Sequence, residues 1–156
     1  MSFQTQVRTE MAGGIVGELY NNEPTRVKTM TIDSGGTANT IGNAYTHSSD
    51  TLAVVGGTNA FAGILINPKA QSAAGLDATL AVEDGASGEL LTMGTIVVNV
   101  TVFESGDIGD GVFYVNATGA LGAGTASTGQ TQIANAVISH KSISGIGLAV
   151  ITLTGA

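Results

Sequence analysis

The sequence predicts an all-β fold, a single-domain β-barrel or β-sandwich of short antiparallel strands preceded by an extended N-terminal arm, and three observations carry that expectation. The 156 residues include 23 glycines, so breaks in regular structure recur throughout the chain. Between the breaks lie short runs rich in Val, Ile and Thr, the residues that suit a pleated, half-buried surface. Nowhere is an apolar stripe at i, i+3, i+4 spacing sustained long enough for a packed helix.

Taken in order, residues 1–13 have no clean period, mix Gln, Thr, Arg and Glu, and run into the Gly13-Gly14 pair, so they read as an arm distinct from the β-rich body, residues 14–156. Residues 15–20 read as a strand, Asn21-Asn22-Glu23-Pro24 as a turn and 26–32 as a second strand, together a hairpin-like opening. A turn at 33–36 precedes a short edge strand at 41–46, and polar residues 47–50 follow. Residues 52–55 and 61–66 are two more strands, separated by Gly56-Gly57-Thr58-Asn59 and closed by Asn67-Pro68. Residues 70–81 permit a turn of helix at most, because Gly75 interrupts them.

The clearest strand is 95–102. Ile96, Val98, Val100 and Val102 share one face, and Thr95, Val97, Asn99 and Thr101 share the other, which reads as half-buried β structure. A shorter strand at 89–93 precedes it, with Gly94 as a kink or bulge. Residues 112–115 and 120–121 flank Asn116-Ala117-Thr118-Gly119, a turn sequence that predicts a hairpin. A Gly/Ala/Ser/Thr loop at 122–130 leads to the last strands at 131–138 and 147–154.

Charge narrows the function. Five Lys and Arg against 12 Asp and Glu, net charge −7, leave no basic track for phosphates, so direct nucleic-acid binding is not expected. No run approaches the roughly 18 consecutive apolar residues of a membrane helix. The sequence holds no Cys, which removes disulfides and thiolate metal sites and suits synthesis in a reducing cytoplasm.

Candidate chemistry is sparse. His47 and His140 lack any H-x-x-x-H spacing and read as surface-loop residues. There is no G-x-S-x-G elbow for a serine nucleophile. Asp107 and Asp110 offer carboxylates to calcium without the remainder of an EF-hand loop, and Glu83-Asp84 reads as a solvated turn. No catalytic residue, metal or cofactor is assigned. A β surface rich in Thr and Asn supports a second reading, a domain that binds glycans or a host surface, although the chain has no Trp and three Tyr to serve as aromatic platforms.

Particular stretches go further. Met1-Ser2-Phe3-Gln4-Thr5-Gln6-Val7 and Gly17-Glu18-Leu19-Tyr20-Asn21-Asn22-Glu23-Pro24-Thr25-Arg26 resemble the opening of the small decoration, or cement, proteins of tailed-bacteriophage capsids. Phe61-Ala62-Gly63-Ile64-Leu65 is similar to the central Gly-containing strand of that family, 88–100 to its Gly-interrupted strand pair and 109–121 to its late hairpin. Residues 122–156 depart from it, and Ile133-Ala134-Asn135-Ala136-Val137 looks more like a related group of phage coat-associated β proteins. The resemblance implies a β body seated as a homotrimer on the outer surface of the virion, with the major capsid protein as partner and the arm bridging capsomers. On that expectation Phe3, Gln4, Thr5, Gln6, Val7 and Arg8 make the capsid contacts, Phe3 and Val7 as apolar anchors and Arg8 in a salt bridge.

Overall fold

The computed structural model describes residues 14–21, 23–67, 81–103, 108–141 and 147–155. Eleven strands occur in it: β1 (Arg26–Ile32), β2 (Asn39–Thr40), β3 (Ala44–His47), β4 (Leu52–Val55), β5 (Phe61–Leu65), β6 (Ala81–Val82), β7 (Ala86–Phe103), β8 (Gly111–Val115), β9 (Leu121–Ala123), β10 (Gln130–Lys141) and β11 (Leu148–Leu153). No helix is found among the described residues, and 70–80, where a helical turn had been allowed, lie outside them.

The organising element is β7. Its 18 residues join the two strands expected on either side of Gly94 into one. Nine strands form one sheet in the order β1-β4-β3-β5-β7-β11-β10-β8-β9, and two further pairings, β1–β7 and β7–β9, close it twice. The sheet is therefore a closed barrel rather than a sandwich, drawn as two circuits that share β7. The first half of β7 pairs with β1 and β5, and the second with β11 and β9. Gly94 sits at the changeover: Met93 is the last residue opposite β1, and Gly94 is the first opposite β11. Its φ of 124° is one that side-chain-bearing residues avoid, and a β-carbon there would lie 2.8 Å from Thr25 Cγ2.

Each circuit has its own core. Met30, Ile32, Tyr45, Ala53, Val55, Ala62, Leu65 and Leu90 come from the five strands of the first circuit. Ile96, Val98, Val100, Val112, Tyr114, Leu121, Ile133, Ile138 and Ile151 come from the five of the second, joined there by Ala44, Ile64 and Leu91 from the first. These cores are aliphatic, as the composition requires, and each fully buried Leu or Ile contributes about 1.5–3 kcal/mol of transfer free energy.

Several expectations are corrected. Strands are not all short or all antiparallel, since β1–β4 and β7–β9 are parallel. The opening hairpin does not form: β1 pairs with β7 and β4, and residues 15–20 make one isolated bridge, Leu19 to Ile96, instead of a strand. Gly14 and Gly17, at φ 64° and 82°, interrupt the run there. The expected half-exposed face of 95–102 is covered at its start, where Val97 is 1% exposed and Thr95 is 4% exposed. His47 and His140 lie at the ends of β3 and β10, not in connecting loops. The late strand is longer than expected and is bent at Asn135, whose φ is 60° and around which the pairing with β8 shifts.

The hairpin of β8 and β9 forms as expected, with Tyr114 opposite Leu121. Its turn locks onto the first circuit. Ala44 N donates to Gly119 O at 2.8 Å, Gly57 N to Asn116 O at 2.7 Å, and Asn43 Nδ2 to Thr118 O at 2.9 Å. Gly56 and Gly57 thus answer both to positive φ and to a second loop packed directly on them.

Candidate interaction surface

Where polar side chains cluster, they are committed to holding loops together. Asp84 accepts from Ser34 N at 2.9 Å, Asn39 Nδ2 at 2.7 Å and Gly36 N at 3.0 Å. Those bonds, the Ser34 backbone first, hold its carboxyl below the usual carboxylate range. Ser34 Oγ donates to Asn39 Oδ1 at 2.5 Å and accepts from Val55 N at 2.8 Å, so the hydroxyl joins this loop to β4. Glu83 and Asp84 are both exposed and Asp84 lies in a turn, as read from the sequence, and the Asp84 carboxylate also ties loop 33–39 to the start of β7.

The remaining titratable groups follow packing. Tyr45 is fully buried, and burial, then the charge of Asp84, raises its pKa above the ordinary phenol value. Tyr114 is raised by burial, partly opposed by the Thr131 side chain. That contact is not a bond of normal geometry: the Thr131 hydroxyl is donated to Asn116 Oδ1 at 2.7 Å, and the Tyr114 hydroxyl has no hydrogen-bond partner among the described residues. His140 packs on the Tyr20 ring, centroids 5.2 Å apart. Among the described residues no three His, Asp or Glu are grouped to hold a metal ion.

The expected contact residues Phe3, Gln4, Thr5, Gln6, Val7 and Arg8 lie outside the described residues, as does Asp107. What the structure does describe is the segment that follows them, residues 14–20. Residues 14–20 lie along the stretch of β7 between its β5 and β9 pairings. Gly17 N donates to Val97 O at 2.7 Å, Val97 N to Glu18 O at 2.9 Å, and Tyr20 N to Thr95 O at 3.1 Å. A cross-tie from Asn67 N to Gly17 O at 2.9 Å fixes the other side. Close packing enforces glycine at this point: a β-carbon on Gly17 would sit 2.3 Å from Ile41 Cγ2 and 2.8 Å from Asn67 N. Ile15 is 59% exposed, one of four exposed large apolar side chains among the described residues, with Val27, Ile108 and Val137. The apolar spacing of this segment suits a strand, and the positive φ of Gly14 and Gly17 with the close packing at Gly17 is what interrupts it.

A closed β body whose clustered polar groups are spent internally, and whose N-terminal segment is braced against its central strand, is the build of a structural protein that works through its surface. The comparisons make that class specific. The family model described as structural cement protein (E217 gp24/Pam3 gp6) matches residues 3–154, and the chain belongs to that family. A chain in the solved capsid of Myoviridae phage XM1 shares the fold, with a TM-score of 0.71 at 16% identity over 99% of this chain and 98% of that one. No match is found among curated proteins.

Proposed function

We propose that this protein binds the outer surface of an assembled phage capsid and reinforces it without catalysis, acting as a homotrimer whose N-terminal arms, residues 1–13, bridge neighbouring copies of the major capsid protein. The family match, which runs from residue 3 and so includes the arm, carries this reading. The physical account is multivalency. A body that offers few charged groups makes a modest contact, and three linked contacts raise avidity by about 10²–10⁴ without any new type of interaction. Such binding selects the mature lattice, because only there are the sites spaced to be engaged together.

Residues 14–20 support the role given to the arm. Their bonds to β7 fix where the arm starts, so pull on the arm is delivered to the longest strand of the barrel and through it to both circuits. The arm then needs only backbone pairing and a few anchors, Phe3 and Val7 among them, to hold a neighbour. Two measurements test this. Light scattering at micromolar concentration is expected to give three times the chain mass, or trimers are expected to form on the lattice. A variant lacking residues 1–13 is expected to keep its melting temperature and lose capsid binding. Undiminished binding and capsid heat resistance in that variant would remove the arm from the account.

A further inference from the structure

Among the described residues, the first half of β1 is a strand with one open edge. On one side β7 accompanies it from Arg26 to Ile32, whereas on the other β4 pairs only with Thr31 and Ile32. Thr31 N crosses that second side to Thr51 O at 2.9 Å. Backbone direction alternates along a strand, so Thr29 and Val27 aim their N–H groups the same way, and among the described residues no backbone acceptor meets them. Burial follows the pairing: residues 26–29 are exposed, and Met30 and Ile32, flanking the point where β4 joins, are buried.

This edge borders a groove of about 450 Å³ lined by Arg26, Val27 and Lys28 of β1 and by His47, Phe61 and Leu153 among residues of other strands. The charge of the groove contrasts with that of the chain. In a protein of net charge −7 with five Lys and Arg, Arg26 and Lys28 are the two whose side chains are described, and both line it. Neither has an ion-pair partner among the described residues. Two cations without an ion-pair partner among the described residues, two outward N–H groups and the apolar lining of Val27, Phe61 and Leu153 form a site for backbone pairing with a charge preference.

We propose that this edge receives an extended, carboxylate-bearing segment of the capsid surface as an added strand, with acidic side chains against Arg26 and Lys28. The inference rests on the capsid reading above and gives the body a contact separate from the arm. Charge complementarity favours this occupant over residues 1–13, which balance Arg8 with Glu10, and over residues 68–80, which balance Lys69 with Asp77. Strand addition supplies affinity through main-chain bonds, and the flanking charges supply choice of partner.

The test uses the full-length protein and capsids assembled without it, in a sedimentation titration. Arg26→Glu with Lys28→Glu is expected to weaken binding at least about tenfold, because two attractive contacts become repulsive. Wild-type binding is expected to fall between about 0.05 and 0.5 M salt, as exposed charges are screened, and that of the charge-reversed variant to fall less. Thr29→Pro removes a donor that faces away from β7, a placement that edge strands tolerate, and is expected to weaken binding similarly, while Thr29→Val, which keeps the N–H, binds as wild type. Equal binding by wild type, the charge-reversed protein and Thr29→Pro would overturn the proposal and leave the capsid reading standing. A large loss of melting temperature in the charge-reversed protein without capsids would also overturn it, since the edge would then serve a segment of the chain itself. Failure of the wild type to bind would overturn the capsid reading and this contact with it.

Discussion

Replacing Gly119 by Ala probes the joint between the two circuits. Gly119 has φ 70°, and its new β-carbon would lie 2.4 Å from Ala44 O, 2.8 Å from Val55 Cγ2 and 3.0 Å from Gly56 N. The left-handed backbone alone costs about 1–2 kcal/mol for a residue bearing a side chain. Two of the three contacts are backbone, so the turn itself must move. The bond it then loses or stretches is Ala44 N to Gly119 O, and Ala44 is fully buried. Leaving a buried backbone group unsatisfied costs about 1–3 kcal/mol. The expected loss is about 2–5 kcal/mol, or about 4–20 °C in melting temperature at this chain length. Gly85→Ala is the control: its φ is 84°, but nothing lies within 4 Å of the added carbon, so only the backbone cost applies. Urea unfolding followed by circular dichroism measures both, with the midpoints compared at constant slope. If Gly119→Ala lost no more stability than Gly85→Ala, the account of the interlocked turns would be wrong.

Further outcomes follow from the polar groups. Asp84 has a folded-state pKa below its ordinary value of 3.8, so its stabilising contribution is complete above that value and is lost as pH falls through the lower folded one. The gap in melting temperature between wild type and Asp84→Asn is therefore expected to be constant from about pH 8 to pH 5 and to narrow below about pH 4; a gap that widened in acid would contradict the clamp. Tyr114→Phe removes a buried hydroxyl that has no partner among the described residues, and is expected to leave stability unchanged or raise it by about 1 kcal/mol in the same urea assay. A loss above about 2 kcal/mol would show that the hydroxyl is satisfied after all.

Local pattern made some of this architecture legible and left the rest hidden. The alternation of Ile96, Val98 and Val100 identifies the central strand, and Asn116 to Gly119 identifies the turn between β8 and β9, because both signals lie within a few residues. The burial of Val97 on the opposite face was not legible, since it depends on residues 14–20 lying along β7 and the spacing of Ile15, Val16 and Leu19 suits a strand equally well. Gly56-Gly57 announced a turn, but not that the turn would meet Asn116, a contact between loops some 60 residues apart. Arg26 and Lys28 read simply as the polar positions of a strand. Their place at an open edge follows from β4 pairing with only two residues of β1, a matter of register that composition does not encode. Closure into a barrel was open for the same reason, because it depends on two extra pairings of β7.

The most direct test of the central claim is the heat resistance of capsids assembled without this protein, measured by release of packaged DNA before and after the purified chain is added. The account expects the protein to co-sediment with the mature capsids and to raise the temperature of DNA release. Mature capsids that neither bind the protein nor gain heat resistance from it would contradict the account.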